Sequence, residues 1–521
     1  MPRNLTDWRL HFLAIAMASL ATLFCYAQKS DSASKAISSL STAKTQLDSG
    51  DLESGEKTLW SILSSEPNNE AALAMLGVVR ARQRRYPEAE ALFRRVLQLN
   101  PKSIVASRDL ATALLAQDKP DEAIRQYEQT IRLVPLDPDL KIELAQLHLE
   151  RGDFAGALST LNAIKPDRFP SSAIPLKAAS LLGLGWRSDA EGLIPLVKGS
   201  PGAAIDLAEV FVEANDADAA LKTLTLLNPP PRAAAARVYY LKGRALRQKE
   251  ETSLALTSFR QALASDPKSV PTLIAMAEIF ATEKKHVESF KTLEKAHAIN
   301  PDSAEVLRHL IVEAMQSGQN DSALQLAQEL QRKSTELDDR YLVASVMLQQ
   351  KQYTPAAHIL EDYVAQRPED AKAFLGLGIA YLNLLRYPEA RQALERSVQI
   401  NPDIAESQYQ LGLVLAQQGN REEAIRCWEK AVRLQPNHAL AQFGLGTMYL
   451  EAGELEKAQG AFLLASAADP YNMKTEYDLA LVLNKLGKSE EAKQHFERYR
   501  KMQEEEHTAN GNPPGTTPDH P

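Results

Sequence analysis

The chain of 521 residues carries 59 Lys and Arg against 67 Asp and Glu, a formal net charge of −8, and 44% of its residues are hydrophobic while only 6% are aromatic. That composition supplies a large aliphatic core and excludes a chain disordered throughout, and the acidic balance excludes a protein that tracks nucleic-acid phosphates, which needs an excess of cations on one face. Two cysteines, Cys25 and Cys427, exclude a disulfide framework and a multi-thiolate metal site.

Arg3 and Arg9 make the first residues slightly basic, and residues 10–27 then run apolar, broken by His11, Ser19 and Thr22. Small residues at the end of the run allow cleavage before Gln28, so residues 1–27 read as a removed secretory signal. An uncleaved N-terminal anchor is the rival reading, because such a run is just long enough to span a bilayer. Bulky Phe24 argues against a lipid-modified Cys25. Either reading places the remainder outside the cytoplasm, periplasmic or secreted after cleavage and otherwise membrane-anchored, with the membrane touched only through this segment.

Beyond it the chain repeats. Pro67, Pro101 and Pro135 are 34 residues apart, as are Pro267 and Pro301, and Pro368, Pro402, Pro436 and Pro470. With that proline at position 32, position 8 is small (Gly77, Ala111, Ala145, Gly243, Ala277, Ala344, Gly378, Gly412, Gly446, Ala480), and position 20 is Ala in most units. Position 24 is often a large ring (Phe93, Tyr127, Phe259, Trp428, Phe462, Phe496). Small residues let two antiparallel helices approach, and the ring fills the groove they open. Gly at position 15 (Gly50, Gly152, Gly318, Gly419, Gly453, Gly487) ends the first helix in a left-handed residue. A capping residue at position 34 (Asn69, Ser103, Ser303, Asp370, Asn472) opens the next unit.

This pattern resembles the tetratricopeptide repeat family over about residues 36–502. The resemblance implies an all-α chain, a right-handed α-solenoid of about fourteen helix-turn-helix units, with first helices lining a concave groove and second helices outside. A single helix pair cannot bury its apolar faces alone, so stacking supplies the stability. The chain then divides into an N-terminal array (36–165), an irregular stretch (166–235) and a C-terminal array (236–503). In the irregular stretch Pro170, Pro175, Pro195, Pro201 and the Pro229-Pro230-Pro231 run interrupt helices. It reads either as a hinge or as diverged repeats. Residues 504–521 lose apolar periodicity and read as a disordered tail.

Strings that mimic catalytic motifs dissolve into this pattern. Gly487-Lys488-Ser489 resembles the end of a phosphate loop but lacks its first glycine and its preceding strand. The glycine pairs Gly376/Gly378 and Gly444/Gly446 lack the third glycine of a dinucleotide fingerprint. The histidines show no metal-ligand spacing, and Cys427 lies inside a second helix as a buried thiol. No catalytic residue, metal site or cofactor is expected.

Binding residues are expected on the first helices, where the resemblance implies that positions 2, 5, 6 and 9 face the groove. Position 5 supplies an aromatic row of Tyr341, Tyr409, Phe443 and Tyr477, suited to extended peptides; the alternative is that these rings pack between helices. Arg237, Arg244 and Arg247 share one helix face, with Arg308 two units later, and could hold a carboxylate; Glu278 and Glu305 stand ready to neutralise them. Positions of the chaperone-tail clamp known in this family are not matched. The expectation is a non-enzymatic scaffold that binds proteins or extended peptides in its groove, with no nucleic-acid partner. The alternative is a component of an envelope machine that exports or assembles polysaccharide, pili or outer-membrane proteins.

Overall fold

The structure, a computed structural model, describes residues 31–509. Residues 1–27, read above as signal or anchor, lie outside them, as do residues 510–521. The described residues form 28 α-helices in fourteen pairs, with a few short 3-10 turns and no strand. The first pair is Asp31–Asp48 with Leu52–Ser65, and the last is Met473–Lys485 with Ser489–Ala509. None of these helices is long and apolar enough to cross a membrane.

The chain divides after Thr272 into two compact units. Each is an α-solenoid of seven pairs, and in most of them the first helix packs on its own second helix and on the second helix of the pair before it. The close approach within a pair is visible at position 8. A Cβ added to Gly77 would lie 2.5 Å from Phe93 Cε1, and one on Gly446 would lie 2.7 Å from the Phe462 ring. Those rings are in turn 1% and 0% exposed. The glycine is therefore the space the ring occupies, as interdigitating helix surfaces require.

Every pair turns through one left-handed residue at position 15. Gly fills it in half the pairs, among them Gly152 (φ 74°) and Gly185 (φ 81°); the others use Arg84, Asp118, Asn215, Glu250, Lys284, Lys351 and Leu385 at φ 56–62°. The turn demands a conformation that costs any residue with a Cβ, and half the pairs bear that cost.

Gly185 and Asn215 carry the same turn through the proline-rich stretch 166–235. There the second helix of one pair shrinks to Arg187–Glu191, and Pro195 opens a 3-10 turn, Ile194–Val197, in place of the missing turns. The apolar core still runs unbroken from Leu158 through Phe211 to Ala245. At the other end, the last helix departs from the expectation of a disordered tail beginning at 504: it continues to Ala509. Its charged residues are good helix formers, and Lys501 and Glu505 pair one turn apart at 3.8 Å.

Candidate interaction surface

The aromatic row at position 5 divides into covered and open members. Tyr409 is 8% exposed, and its ring centroid lies 4.9 Å from that of His438. Burial, with Glu406 nearby, pushes its hydroxyl up to about 12. Half-buried Phe443 packs 5.6 Å from Phe462, with the Lys474 ammonium 5.3 Å from its ring. Half-buried Tyr341 lies 5.3 Å from Tyr363. Only Tyr477 counts as exposed, at 40%, against Phe496 and Tyr499. Among the described residues, each ring's aromatic partner stands on a second helix or a turn, so the four make separate pairs.

Between these rings the first helices present half-buried aliphatic side chains, Leu375, Ile379 and Leu413, and the exposed Leu440. Gly376 and Gly444 at position 6 lie tight against the preceding pair: a Cβ on Gly444 would lie 3.1 Å from the Trp428 ring, and one on Gly376 would lie 3.2 Å from Leu348. Sequence reasoning assigned only the second glycine of each pair, Gly378 and Gly446, to packing, and it left the apolar strip unremarked. The available signal was aliphatic residues at groove positions of successive units, Leu375 and Ile379 at positions 5 and 9, Leu413 at position 9 and Leu440 at position 2.

The cations are differently placed from one another. Arg237 pairs with Asp206 at 2.9 Å and with Glu209. Arg244 lies 5.9 Å from the Tyr240 ring, on the same helix as Arg247. In the second compact unit Arg308 donates to Asp339 and Glu336, each at 2.5 Å. The carboxylates that engage Arg237 and Arg308 thus come from adjoining helix pairs, rather than from the expected Glu278 and Glu305 alone.

The repeat register that organises these surfaces is found in known families. Residues 69–135, and separately 108–173 and 205–270, match tetratricopeptide repeat families, and residues 298–512 match the family described as the C-terminal domain of cilia and flagella-associated protein 70. The chain is a tetratricopeptide repeat protein. Comparison with curated proteins finds no match. Among solved structures, YrrB, described as a TPR protein with an unusual peptide-binding site, is 21% identical over 35% of this chain and 95% of its own, with a TM-score of 0.31. The yeast protein Tom70 is 15% identical over 81% of this chain and 95% of its own (TM-score 0.32). The anaphase-promoting-complex assembly Cut9–Hcn1 is 14% identical over 91% and 99% (TM-score 0.40).

The first tetratricopeptide units hold a polar cluster that the sequence did not flag. Arg108 and Asp109 are neighbours on one first helix, and Glu143 follows on the next; Arg108 donates to Glu143 at 2.8 Å. Asp109 is 6% exposed, and its Oδ2 has no hydrogen-bond partner. Burial pushes its carboxyl up to about 7 against the opposing pull of Arg108. Burial likewise raises Glu143, with Arg108 pulling the other way. Carboxylates at position 6 of two successive units were the clue to this cluster.

Proposed function

We propose that this protein is a non-enzymatic interaction scaffold that binds proteins or extended peptides along the face formed by its first helices. The reading is carried by one observation: on the first helices Leu375, Ile379 and Leu413 are half-buried and Leu440 is exposed, an apolar strip with surface left for a ligand. An extended chain laid along such a strip gains apolar area from several units at once, so affinity accumulates from modest contacts. Tetratricopeptide proteins typically serve as scaffolds, which supports the same reading. The apolar run at residues 10–27 supports work outside the cytoplasm.

Crosslinked affinity capture from intact cells, with N-terminal sequencing of the recovered chain, tests both parts. The triple variant Ile379→Glu, Leu413→Glu, Leu440→Glu should lose its captured partners while keeping wild-type helical circular dichroism. Unchanged capture would remove the first-helix face from the proposal. An N-terminus at Gln28 would support export with cleavage, and capture confined to one secretion complex would favour the envelope-machine alternative.

A further inference from the structure

The last helix pair holds a ring pair that an earlier pair keeps covered. In the unit of Leu337–Gln349 and Tyr353–Gln366, Tyr341 and Tyr363 stand 5.3 Å apart at positions 5 and 27. The following helix, Ala371–Asn383, closes over them. Tyr363 is 3% exposed, and its hydroxyl donates at 3.1 Å to Asp370, the N-cap residue of that helix. The same covering helix is fixed a second time, eleven residues on, where the Tyr381 hydroxyl donates to Glu361 at 2.6 Å. A parallel contact recurs two units later, where the Tyr449 hydroxyl donates to Glu429 at 3.1 Å.

Tyr477 and Tyr499 occupy positions 5 and 27 of the last pair, 5.2 Å apart, and Glu497 stands where Glu361 and Glu429 stand. Here no described helix follows. Tyr477 is 40% exposed, and Phe496 is half-buried although its counterparts Phe93, Trp428 and Phe462 are at most 3% exposed. An open hollow of about 500 Å³ results, lined by Tyr477, Lys493, Phe496, Glu497, Tyr499 and Arg500. Its charge differs from the covered case in one respect. Lys493 and Arg500 take the places of Ala357 and Val364, which pack into the core beneath the covering helix. Lys493 also reaches Glu490 on its own helix at 2.8 Å, an exposed pair that holds it only weakly.

We propose that this end face docks an amphipathic helix of a partner protein, N-capped by Asp, carrying Tyr eleven residues later, and acidic along the flank that meets Lys493 and Arg500. The three rings supply the apolar contact. Tyr499 then finds the carboxylate acceptor that Tyr363 has, and Glu497 finds the hydroxyl donor that Glu361 has. A helix with an apolar flank, such as the chain's own covering helix, still meets the three rings and both hydrogen-bonding groups. It leaves the two cations without partners, so it binds more weakly than a helix that brings carboxylates to them. Apart from Tyr477, this surface is built from residues of the last helix, and it shares no residue with the strip of Leu375, Ile379, Leu413 and Leu440; the triple variant at Ile379, Leu413 and Leu440 leaves it intact.

The test uses the full chain and a labelled peptide copying residues 369–384, read by fluorescence anisotropy. The parent peptide should bind. Asp370→Ala and Tyr381→Phe forms of the peptide should each bind about fivefold more weakly, as loss of one hydrogen bond implies. Tyr499→Phe in the protein should abolish the Asp370 preference, and Glu497→Gln the Tyr381 preference. A Lys372→Glu peptide should bind more tightly than the parent, and lose that gain against the protein variant Lys493→Ala, Arg500→Val. Three results would each overturn the proposal: no binding by the parent peptide, equal binding of all peptide forms, or sedimentation showing a dimer that Tyr499→Ala dissolves, which would make the face a contact between copies. Circular dichroism of each variant guards against loss of fold, and an intact first-helix capture with no peptide binding would overturn this inference alone.

Discussion

Arg308 and Asp339, at positions 5 and 3 of successive repeats, meet at 2.5 Å, the guanidinium also reaching Glu336, while Asp339 itself is only 2% exposed. Burial alone would raise the Asp339 carboxyl; hydrogen bonds from Arg308 and Ser334, together with the Arg308 charge, outweigh it and hold the group below its ordinary value. A cation offered to a ligand would leave Asp339 buried and unpaired, so this one is committed to joining neighbouring pairs. Arg308→Met should therefore destabilise the second compact unit by about 2 kcal/mol, less than a fully buried pair loses because Arg308 is partly solvated. Adding Asp339→Leu should recover most of the loss in urea denaturation. The pH dependence has a fixed sign. A depressed carboxyl contributes stability above its unfolded value that disappears as pH falls through the folded one, so wild type should lose this contribution on acidification below about pH 4 and Arg308→Met should not.

Leu385 sits at φ 60° with its side chain 69% exposed. The left-handed conformation costs a residue with a Cβ about 1 kcal/mol, and an exposed side chain recovers little by packing. Leu385→Gly should raise the thermal midpoint by a few degrees without changing any contact. Gly419→Leu, placed at the corresponding turn one unit later, should lower it by a similar amount. Calorimetry on the two variants decides the point.

Asp109 gives the first compact unit an alkaline weakness. Its carboxyl, pushed up to about 7 by burial, stays protonated in the fold where the unfolded chain has already released its proton. The folded form binds more protons between about pH 4 and 7, so stability falls as pH rises through that window and stays low above it. Asp109→Asn removes the titration. It should stabilise the protein by about 1 to 3 kcal/mol at pH 8 and leave stability near wild type at pH 4, as followed by thermal melts across the range.

What the sequence disclosed follows from the range over which each feature acts. Gly77 and Phe93 lie within one repeat and recur at a fixed spacing, so their contact was legible as a pattern. Arg308 and Asp339 lie in successive repeats, yet a cation at position 5 reads the same whether it meets solvent or a carboxylate behind it. Tyr409 and Tyr477 share position 5 and differ only in whether a following helix covers them, which no single position records. The turn at Leu385 was hidden because the backbone imposes its left-handed residue whatever the side chain. The helix beyond Glu504 escaped notice because an apolar period was sought in a stretch that stays helical by propensity and charge pairing.

Gly412 faces the Trp428 indole so closely that an added Cβ would enter the ring, and the indole N–H donates to the Tyr409 carbonyl at 3.0 Å. Gly412→Ala gains about 1 kcal/mol of helix propensity but overpacks the contact, which costs about 1 to 3 kcal/mol, and the loss of the indole hydrogen bond adds to the cost. The net effect should be destabilising. Other repeats show how the clash is resolved: Ala145, Ala277 and Ala344 stand at the same position facing Leu161, Leu293 and Leu360, all at most 1% exposed. Trp428→Leu alone opens a cavity beside Gly412, whereas Gly412→Ala with Trp428→Leu rebuilds the Ala–Leu contact of those repeats. The double variant should be more stable than the sum of the two single losses by at least about 1 kcal/mol in a urea-denaturation cycle. A coupling near zero would mean that position 8 and position 24 do not pack as one unit here.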